Sequence, residues 1–149
     1  MNRFVMILAT WFGSGYSPIA PGTAGTVAAI PLYLLLSTLS VVPYICLTVL
    51  FIIASCLIAS RAVRITGIHD PGIVVIDEVA GYLVTMTGGE PTLLNVAIGF
   101  LLFRVMDVLK PFPANLIDSR LSGGVGVVMD DVAAGVYAAL LLHFLARWL

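Results

Sequence analysis

The chain has 149 residues, of which 60% are hydrophobic and 10% are charged, and its formal net charge is −1. A soluble domain carries about 25% charged residues, so this chain has too few to cover itself with a solvated surface. We therefore predict a polytopic membrane protein with a single domain over residues 1–149. The sequence contains no basic patch of the kind that would indicate nucleic-acid binding. Cys46 and Cys56 lie in one apolar stretch, which favours small hydrophobic roles over a disulfide or a metal pair.

The predicted fold class is all-α, a membrane helix bundle with about five spanning helices. Residues 4–12 are too few to cross a bilayer, which takes about 20 residues, and are predicted to form a short interfacial or re-entrant helix. The five predicted spans are residues 24–40, 41–60, 72–87, 92–109 and 127–148.

Residues 13–26 form a segment rich in glycine, proline and hydroxyl side chains. Such a segment can turn backbone N–H groups and hydroxyls toward an anion, although no Gly-Lys-Ser/Thr follows to make it a P-loop. We predict that it holds a phosphate, and the alternative is a tight turn with close helix packing. The candidate phosphate-binding hydroxyls are Ser14, Ser17, Thr23 and Thr26.

Acidic residues occur at three places within the later apolar runs. A charged side chain inside a membrane costs several kcal/mol of free energy unless it is paired, metal-bound or hydrated. A hard cation with oxygen ligands, such as Mg²⁺, is the natural partner for several carboxylates, and the alternative is pairing of some acids with arginine. The two acidic pairs begin parallel spans, so they can face each other across a metal. The candidate metal ligands are Asp77, Glu78, Asp107, Asp130 and Asp131.

The positive-inside rule orients the bundle with its amino terminus in the cytoplasm. This orientation puts all five carboxylates at a similar shallow depth on the cytoplasmic side. Only Arg147 then lies outside, and Arg104 lies within a span. The basic residues on the cytoplasmic side are Arg3, Arg61, Arg64, Lys110 and Arg120.

Two basic side chains and one polar pair complete the candidate site. Arg104 can offer a bidentate fork to phosphate and Lys110 a point charge, although Lys110 could instead snorkel to the interface. His69 and Asp70 could supply a proton donor or a ligand, since histidine titrates near neutral pH. The alternative for His69 is a polar residue at a helix end.

These motifs, taken in order, resemble the phosphatidylglycerophosphatase A family from about residue 11 to the end. The resemblance rests on residues 12–26, 69–70, 77–78, 103–113 and 123–135. It implies a small multi-pass enzyme of the bacterial inner membrane that removes the terminal phosphate from phosphatidylglycerophosphate and needs Mg²⁺. The implied partner is a phospholipid substrate, and the active site would face the cytoplasm.

A mechanism consistent with these residues begins with attack of water on phosphorus, with Asp131 or Asp130 as the orienting base. Arg104 and the glycine-rich segment would hold the phosphate oxygens, and the leaving group would take its proton from His69 or from metal-bound water. A phospho-aspartate intermediate is the alternative chemistry. A membrane carrier of cations or protons is the alternative function, because it could use the same intramembrane carboxylates.

Overall fold

The computed structural model describes residues 2–68, 70–112 and 123–147, and all regular structure in these ranges is helical. The prediction of an all-α protein is therefore confirmed for the described part of the chain. A 3-10 turn at Ser14–Tyr16 follows the first helix. The α-helices are α1 (Asn2–Ala9), α2 (Pro21–Leu36), α3 (Val41–Thr66), α4 (Ile76–Thr85), α5 (Leu93–Leu109) and α6 (Gly124–Leu145).

Two of the described helices are long and apolar enough to cross a membrane. Helix α3 has 26 residues and contains an 18-residue stretch with a mean hydropathy of 2.6, and α6 has 22 residues and contains such a stretch with a mean hydropathy of 1.8. Helices α2 and α5 are shorter, at 16 and 17 residues. The count of about five spanning helices therefore stays a prediction.

Helix α4 is shorter than the predicted third span. Its ten residues extend about 15 Å, which is half of the roughly 30 Å hydrocarbon core of a bilayer. The residues before it form a turn, in which the Val74 amide donates to the Pro71 carbonyl. The Val75 amide donates to the Ala9 carbonyl at the end of α1. An apolar run in the sequence does not show where such tertiary bonds delay the start of a helix.

Helix α3 is longer than predicted, because it continues through Arg61 and Arg64 to Thr66. We expected a polar connection from residue 61, but arginine has a high helix propensity and its charge alone does not end a helix. The helix ends where Gly67 adopts φ 70°, a left-handed conformation that glycine accepts without steric cost.

Helices α4 and α6 run parallel and their backbones are in close contact. A methyl group on Gly81 would lie 2.7 Å from the Asp131 carbonyl oxygen, and one on Gly135 would collide with the Gly81 carbonyl. The Thr85 hydroxyl donates to the Gly81 carbonyl at 3.0 Å, close to the Gly135 carbonyl. Successive contacts therefore lie further along both helices in the same direction. The helices are parallel, as predicted for the two spans that begin with acidic pairs.

The remaining helices alternate in direction around α4. Contacts of Tyr33 with Tyr82 and of Gly25 with Val75 set α2 parallel to it. Helix α5 is antiparallel, because Phe103 reaches Gly81 whereas Val96 accepts a bond from Tyr82. Helix α3 ends beside the start of α6. The starts of α2, α4 and α6 and the ends of α3 and α5 therefore share one end of the bundle.

Helix α4 forms the centre of the protein, with all but two of its residues buried. Four aromatic rings pack edge to face around it, with centroids 6.1 to 6.5 Å apart. The three tyrosines among them each donate a hydrogen bond to a backbone carbonyl of another segment, so none of these three tyrosine hydroxyls is buried without a partner. The four rings belong to Tyr33, Tyr44, Tyr82 and Phe103.

Replacing Gly81 by alanine tests the close packing of α4 on α6. The added methyl would lie 2.5 Å from the Phe103 ring and 2.7 Å from the Asp131 carbonyl, and such overpacking costs about 1–3 kcal/mol. Gly99→Ala is the matched control, because its methyl meets the flexible Met86 side chain rather than a backbone. Titration with SDS in mixed micelles, followed by helical circular dichroism, should show Gly81→Ala unfolding earlier than Gly99→Ala. Equal midpoints would contradict the packing described here.

Candidate active site

A cavity of about 260 Å³ lies at the shared end of the helices. The starts of α2, α4 and α6 and the end of α5 contribute to its lining, so the five predicted metal ligands come together in one place. Six acids and two basic residues line it, which leaves a formal charge of −4 if all are ionised. The charged lining residues are Asp70, Asp77, Glu78, Arg104, Asp107, Lys110, Asp130 and Asp131.

Three of these acids form a compact group. Asp77, Glu78 and Asp131 each place one carboxylate oxygen within 4.8 Å of the others. Asp77 and Asp131 are only 6% and 4% exposed. One oxygen on each residue is buried without a hydrogen-bond partner in the described structure: Asp77 Oδ1, Glu78 Oε2 and Asp131 Oδ2.

The chemistry of this trio fits a divalent cation. Buried carboxylate oxygens without donors repel each other and are poorly solvated, whereas a hard cation satisfies them. Oxygens on opposite sides of Mg²⁺ lie about 4.2 Å apart, given bonds of about 2.1 Å. The observed spacing therefore requires only small side-chain movements to hold such an ion.

Asp107 and Asp130 differ from the trio because each has a basic partner. Arg104 Nη1 lies 2.7 Å from Asp107 Oδ2, one helical turn away on α5. Lys110 Nζ donates to Asp130 Oδ2 at 2.6 Å and links the end of α5 to α6. The alternative that some acids pair with basic residues thus describes these two, although both still line the cavity.

Local backbone structure explains how the charged groups reach the cavity. Asp77 and Glu78 lie in the first turn of α4, where the positive end of the helix dipole favours carboxylates. Lys110 ends α5 in a left-handed conformation with φ 42°, directly before Pro111. A proline ring disfavours helical geometry in the residue before it. The chain therefore leaves the helix at Lys110.

The glycine-rich segment contributes backbone rather than hydroxyls to the cavity. Its lining residues are Ala20, Pro21 and Gly22, which lie within the segment predicted to hold a phosphate but were not among its four named hydroxyl candidates. Gly22 is packed so closely that a methyl there would collide with Glu78 Oε1 and lie 3.1 Å from Arg104 Nη1. In the sequence, this close approach of the backbone to the site was indicated by the glycine at the start of α2.

The four predicted phosphate-binding hydroxyls do not line the cavity. Ser14 donates to the Thr10 carbonyl, Ser17 to the Ile19 carbonyl and Thr26 to the Gly22 carbonyl. Thr23 is partly buried on α2. Their assignment to phosphate therefore has no support in this geometry, and the hydroxyls of Ser14, Ser17 and Thr26 instead bond to backbone carbonyls of the loop and of α2.

The predicted pair His69–Asp70 is only partly described. Asp70 is exposed and lines the cavity. His69 lies outside the described residues.

Comparison with known proteins identifies the family. The family model described as phosphatidylglycerophosphatase A matches residues 7–146. The chain belongs to the phosphatidylglycerophosphatase A family. That match covers every helix that contributes to the cavity, so the charged cluster lies within the family domain.

Individual relatives agree with the family match. Phosphatidylglycerophosphatase A of Escherichia coli K12 is 39% identical over 145 residues, covering 95% of this chain and 83% of the relative. The protein of the same name from Haemophilus influenzae Rd is 35% identical, covering 97% of this chain and 90% of the relative. A Bacteroides thetaiotaomicron protein provisionally named phosphatidylinositol-3-phosphatase is 39% identical, covering 96% and 93%. No solved structure matches the chain significantly.

Gly22→Ala tests whether the cavity depends on the missing side chain of Gly22. The methyl would displace the ends of two flexible side chains, Glu78 and Arg104, so folding should be retained. A misplacement of about 1 Å in an active site can reduce the rate about 100-fold. We expect phosphatase activity in micelles to fall at least about tenfold, with an unchanged unfolding midpoint.

Gly72→Ala is the matched control, because Gly72 also lines the cavity but an added methyl meets no atom within 4 Å. It should retain activity. Full activity in Gly22→Ala would show that Glu78 and Arg104 need not hold these positions.

Proposed function

We propose that this protein hydrolyses the terminal phosphomonoester of phosphatidylglycerophosphate, releasing phosphatidylglycerol and inorganic phosphate in phospholipid synthesis. Family membership supports the reaction, and two relatives carry the name of this enzyme. The observation that carries the proposal is the buried trio of acids beside Arg104 and Lys110 in a single cavity. This arrangement combines a place for a cation with cationic groups for a phosphate.

We propose Mg²⁺ as the cofactor, held by Asp77, Glu78 and Asp131. Their three oxygens without hydrogen-bond partners are its proposed ligands. Asp107 and Asp130 remain proposed members of the site, close enough to line the same cavity and held by their basic partners. When bound, Mg²⁺ would neutralise phosphate charge and lower the pKa of a coordinated water.

The substrate phosphate would be bound by Arg104 and Lys110. Both cations already have one acidic partner, which fixes their position. Arginine has five N–H donors in a planar fork, so Arg104 retains donors for phosphate oxygens, and Lys110 would contribute its positive charge. The Gly22 backbone lies beside Arg104, and the absence of a side chain at residue 22 allows the ends of Arg104 and Glu78 to occupy this part of the cavity.

Proton transfer is assigned to the acids of the cavity. Asp131, or its neighbour Asp130, would orient the attacking water and accept its proton as the new P–O bond forms. The bond from phosphorus to the glycerol oxygen then breaks, and His69 with Asp70 would supply the proton to the leaving oxygen. Asp70 lines the cavity, which supports this assignment for one member of the pair.

We further propose a multi-pass arrangement in the bacterial inner membrane, with about five spans and the cavity at the cytoplasmic face. Bacterial relatives and the two membrane-capable helices support an inner-membrane location. The ends of α3 and α5 carry Arg61, Arg64 and Lys110 at the cavity end. The positive-inside rule assigns such an end to the cytoplasm.

Phosphate release in detergent micelles tests the reaction. Phosphatidylglycerophosphate should be hydrolysed, EDTA should abolish turnover, and added Mg²⁺ should restore it. Asp77→Asn and Asp131→Asn should each lower activity by about 100-fold or more, because each removes a charged ligand. Phosphatidylinositol 3-phosphate should be a poorer substrate.

Three outcomes would change the proposal. Full activity in EDTA would exclude the divalent metal, and faster hydrolysis of the inositol lipid would reassign the substrate. No phosphate release from either lipid would favour the carrier alternative. Acid quenching during turnover of substrate labelled with ³²P in its terminal phosphate distinguishes the two chemistries, since label retained on the protein would indicate a phospho-aspartate intermediate.

Labelling of single cysteines tests the orientation. Ile68 and Glu90 are both exposed, and they flank opposite ends of α4. In a background lacking Cys46 and Cys56, a membrane-impermeant maleimide applied to intact cells should label Glu90→Cys. It should label Ile68→Cys only after the membrane is opened. The reverse pattern would invert the orientation, and labelling of both positions from outside would refute the arrangement.

A further inference from the structure

Two arginines near the end of α3 lie outside the candidate active site. Arg61 and Arg64 are exposed on α3, one helical turn apart. Ser60, directly before them, packs against Gly124 at the start of α6, so they belong to the cavity end of the bundle. Neither residue lines the cavity. Their function is therefore not explained by the reaction described above.

The two arginines face a groove between α1 and α3. This groove has a volume of about 290 Å³ and is lined by Asn2, Val5, Arg61, Arg64 and Ile65. The lining of this groove therefore combines basic and polar side chains with apolar ones. Such a composition suits a ligand that carries both an anionic group and hydrocarbon.

The arginines have no carboxylate partner in the part of the chain that the structure describes. Arg64 Nε donates to the Ser60 carbonyl at 3.2 Å, and its other N–H groups remain available. No Asp or Glu occurs in the sequence before Asp70, so neither α1 nor α3 can supply an acid. The charged groups on α6 that lie closest along that helix, Asp130 and Asp131, line the separate cavity.

A larger apolar groove adjoins the basic one on the other side of α1. It has a volume of about 600 Å³, and Asn2 lines both grooves. Met6, Ile7, Phe12 and Tyr16 supply most of its apolar surface. Phe12 is 70% exposed in the absence of lipid, and large exposed apolar patches of this kind mark binding or membrane-contact surfaces.

We propose that the groove between α1 and α3 binds an anionic phospholipid of the surrounding bilayer, separate from the substrate. Arg61 and Arg64 would contact the headgroup phosphate through their guanidinium forks. The adjoining groove would accept part of an acyl chain. A soluble anion would leave the apolar surface unused, and an acidic protein segment would compete with lipid at the membrane interface. The charge and the adjoining apolar surface together therefore favour a lipid.

Lipid binding can be measured by native mass spectrometry of the full chain released from detergent. The probe is dioleoylphosphatidylserine, which is anionic but has no terminal phosphomonoester, and dioleoylphosphatidylcholine is the neutral reference. Each basic residue near a membrane surface strengthens attraction to anionic lipid about fivefold. We therefore expect the wild type to prefer phosphatidylserine, and Arg61→Gln/Arg64→Gln to lose about twentyfold of that preference.

Control variants separate this effect from unfolding and from general charge. Arg147→Gln removes an exposed arginine at the far end of α6 and should keep the full preference. The single variants Arg61→Gln and Arg64→Gln should each lose about fivefold, and each should retain the helical circular dichroism of the wild type. If the double variant fails to fold, the lipid preference of the single variants tests the proposal instead.

Two results would overturn the proposal. One is an unchanged preference for phosphatidylserine in the folded variants at residues 61 and 64. The other is displacement of the bound lipid by excess inorganic phosphate, which would assign the arginines to a soluble anion. Retention of phosphate hydrolysis in these variants is expected in either case, so failure of the lipid site remains distinct from failure of the proposed reaction.

Discussion

The close contact between the backbones of α4 and α6 determines the rest of this structure. Gly81 and Gly135 allow the two helices to approach without intervening side chains. Their parallel direction then brings the acidic residues near the start of both helices to the same level. Asp77 and Glu78 consequently meet Asp131, although more than fifty residues separate them in the sequence. A larger residue at either glycine would separate the acids as well as the helices.

Collecting so many carboxylates creates an electrostatic cost that the fold meets in two ways. Arg104 and Lys110 neutralise Asp107 and Asp130 directly, in pairs with short N–O distances. The trio on α4 and α6 has no such partner for its three buried oxygens. Partial neutralisation restricts the unpaired negative charge to one small region, which is the region suited to a small divalent ion. The same two cations remain available to a phosphate group beside that ion.

Relatives of this chain carry names that refer to more than one lipid substrate. Two of them carry the name phosphatidylglycerophosphatase A, and a third, equally similar to this chain as the first, is provisionally named a phosphatidylinositol-3-phosphatase. Recognition of the phosphate by basic residues does not distinguish the alcohol to which it is attached.

The sequence by itself determined the composition of a membrane protein, the all-helical fold class and the identity of the acids that gather at one end. These features follow from local properties, because hydropathy and the depth of a charge within an apolar run depend on neighbours in the chain. The tertiary structure alone decided that Asp130 is paired, since its partner Lys110 is twenty residues away at the end of another helix. It also decided that Gly22, rather than the nearby hydroxyls, borders the site. The length of α4 likewise depended on a bond from Val75 to Ala9 on α1. Contacts between segments that are distant in the sequence determine these features. The hydrophobic pattern of the sequence does not specify which residues make such contacts.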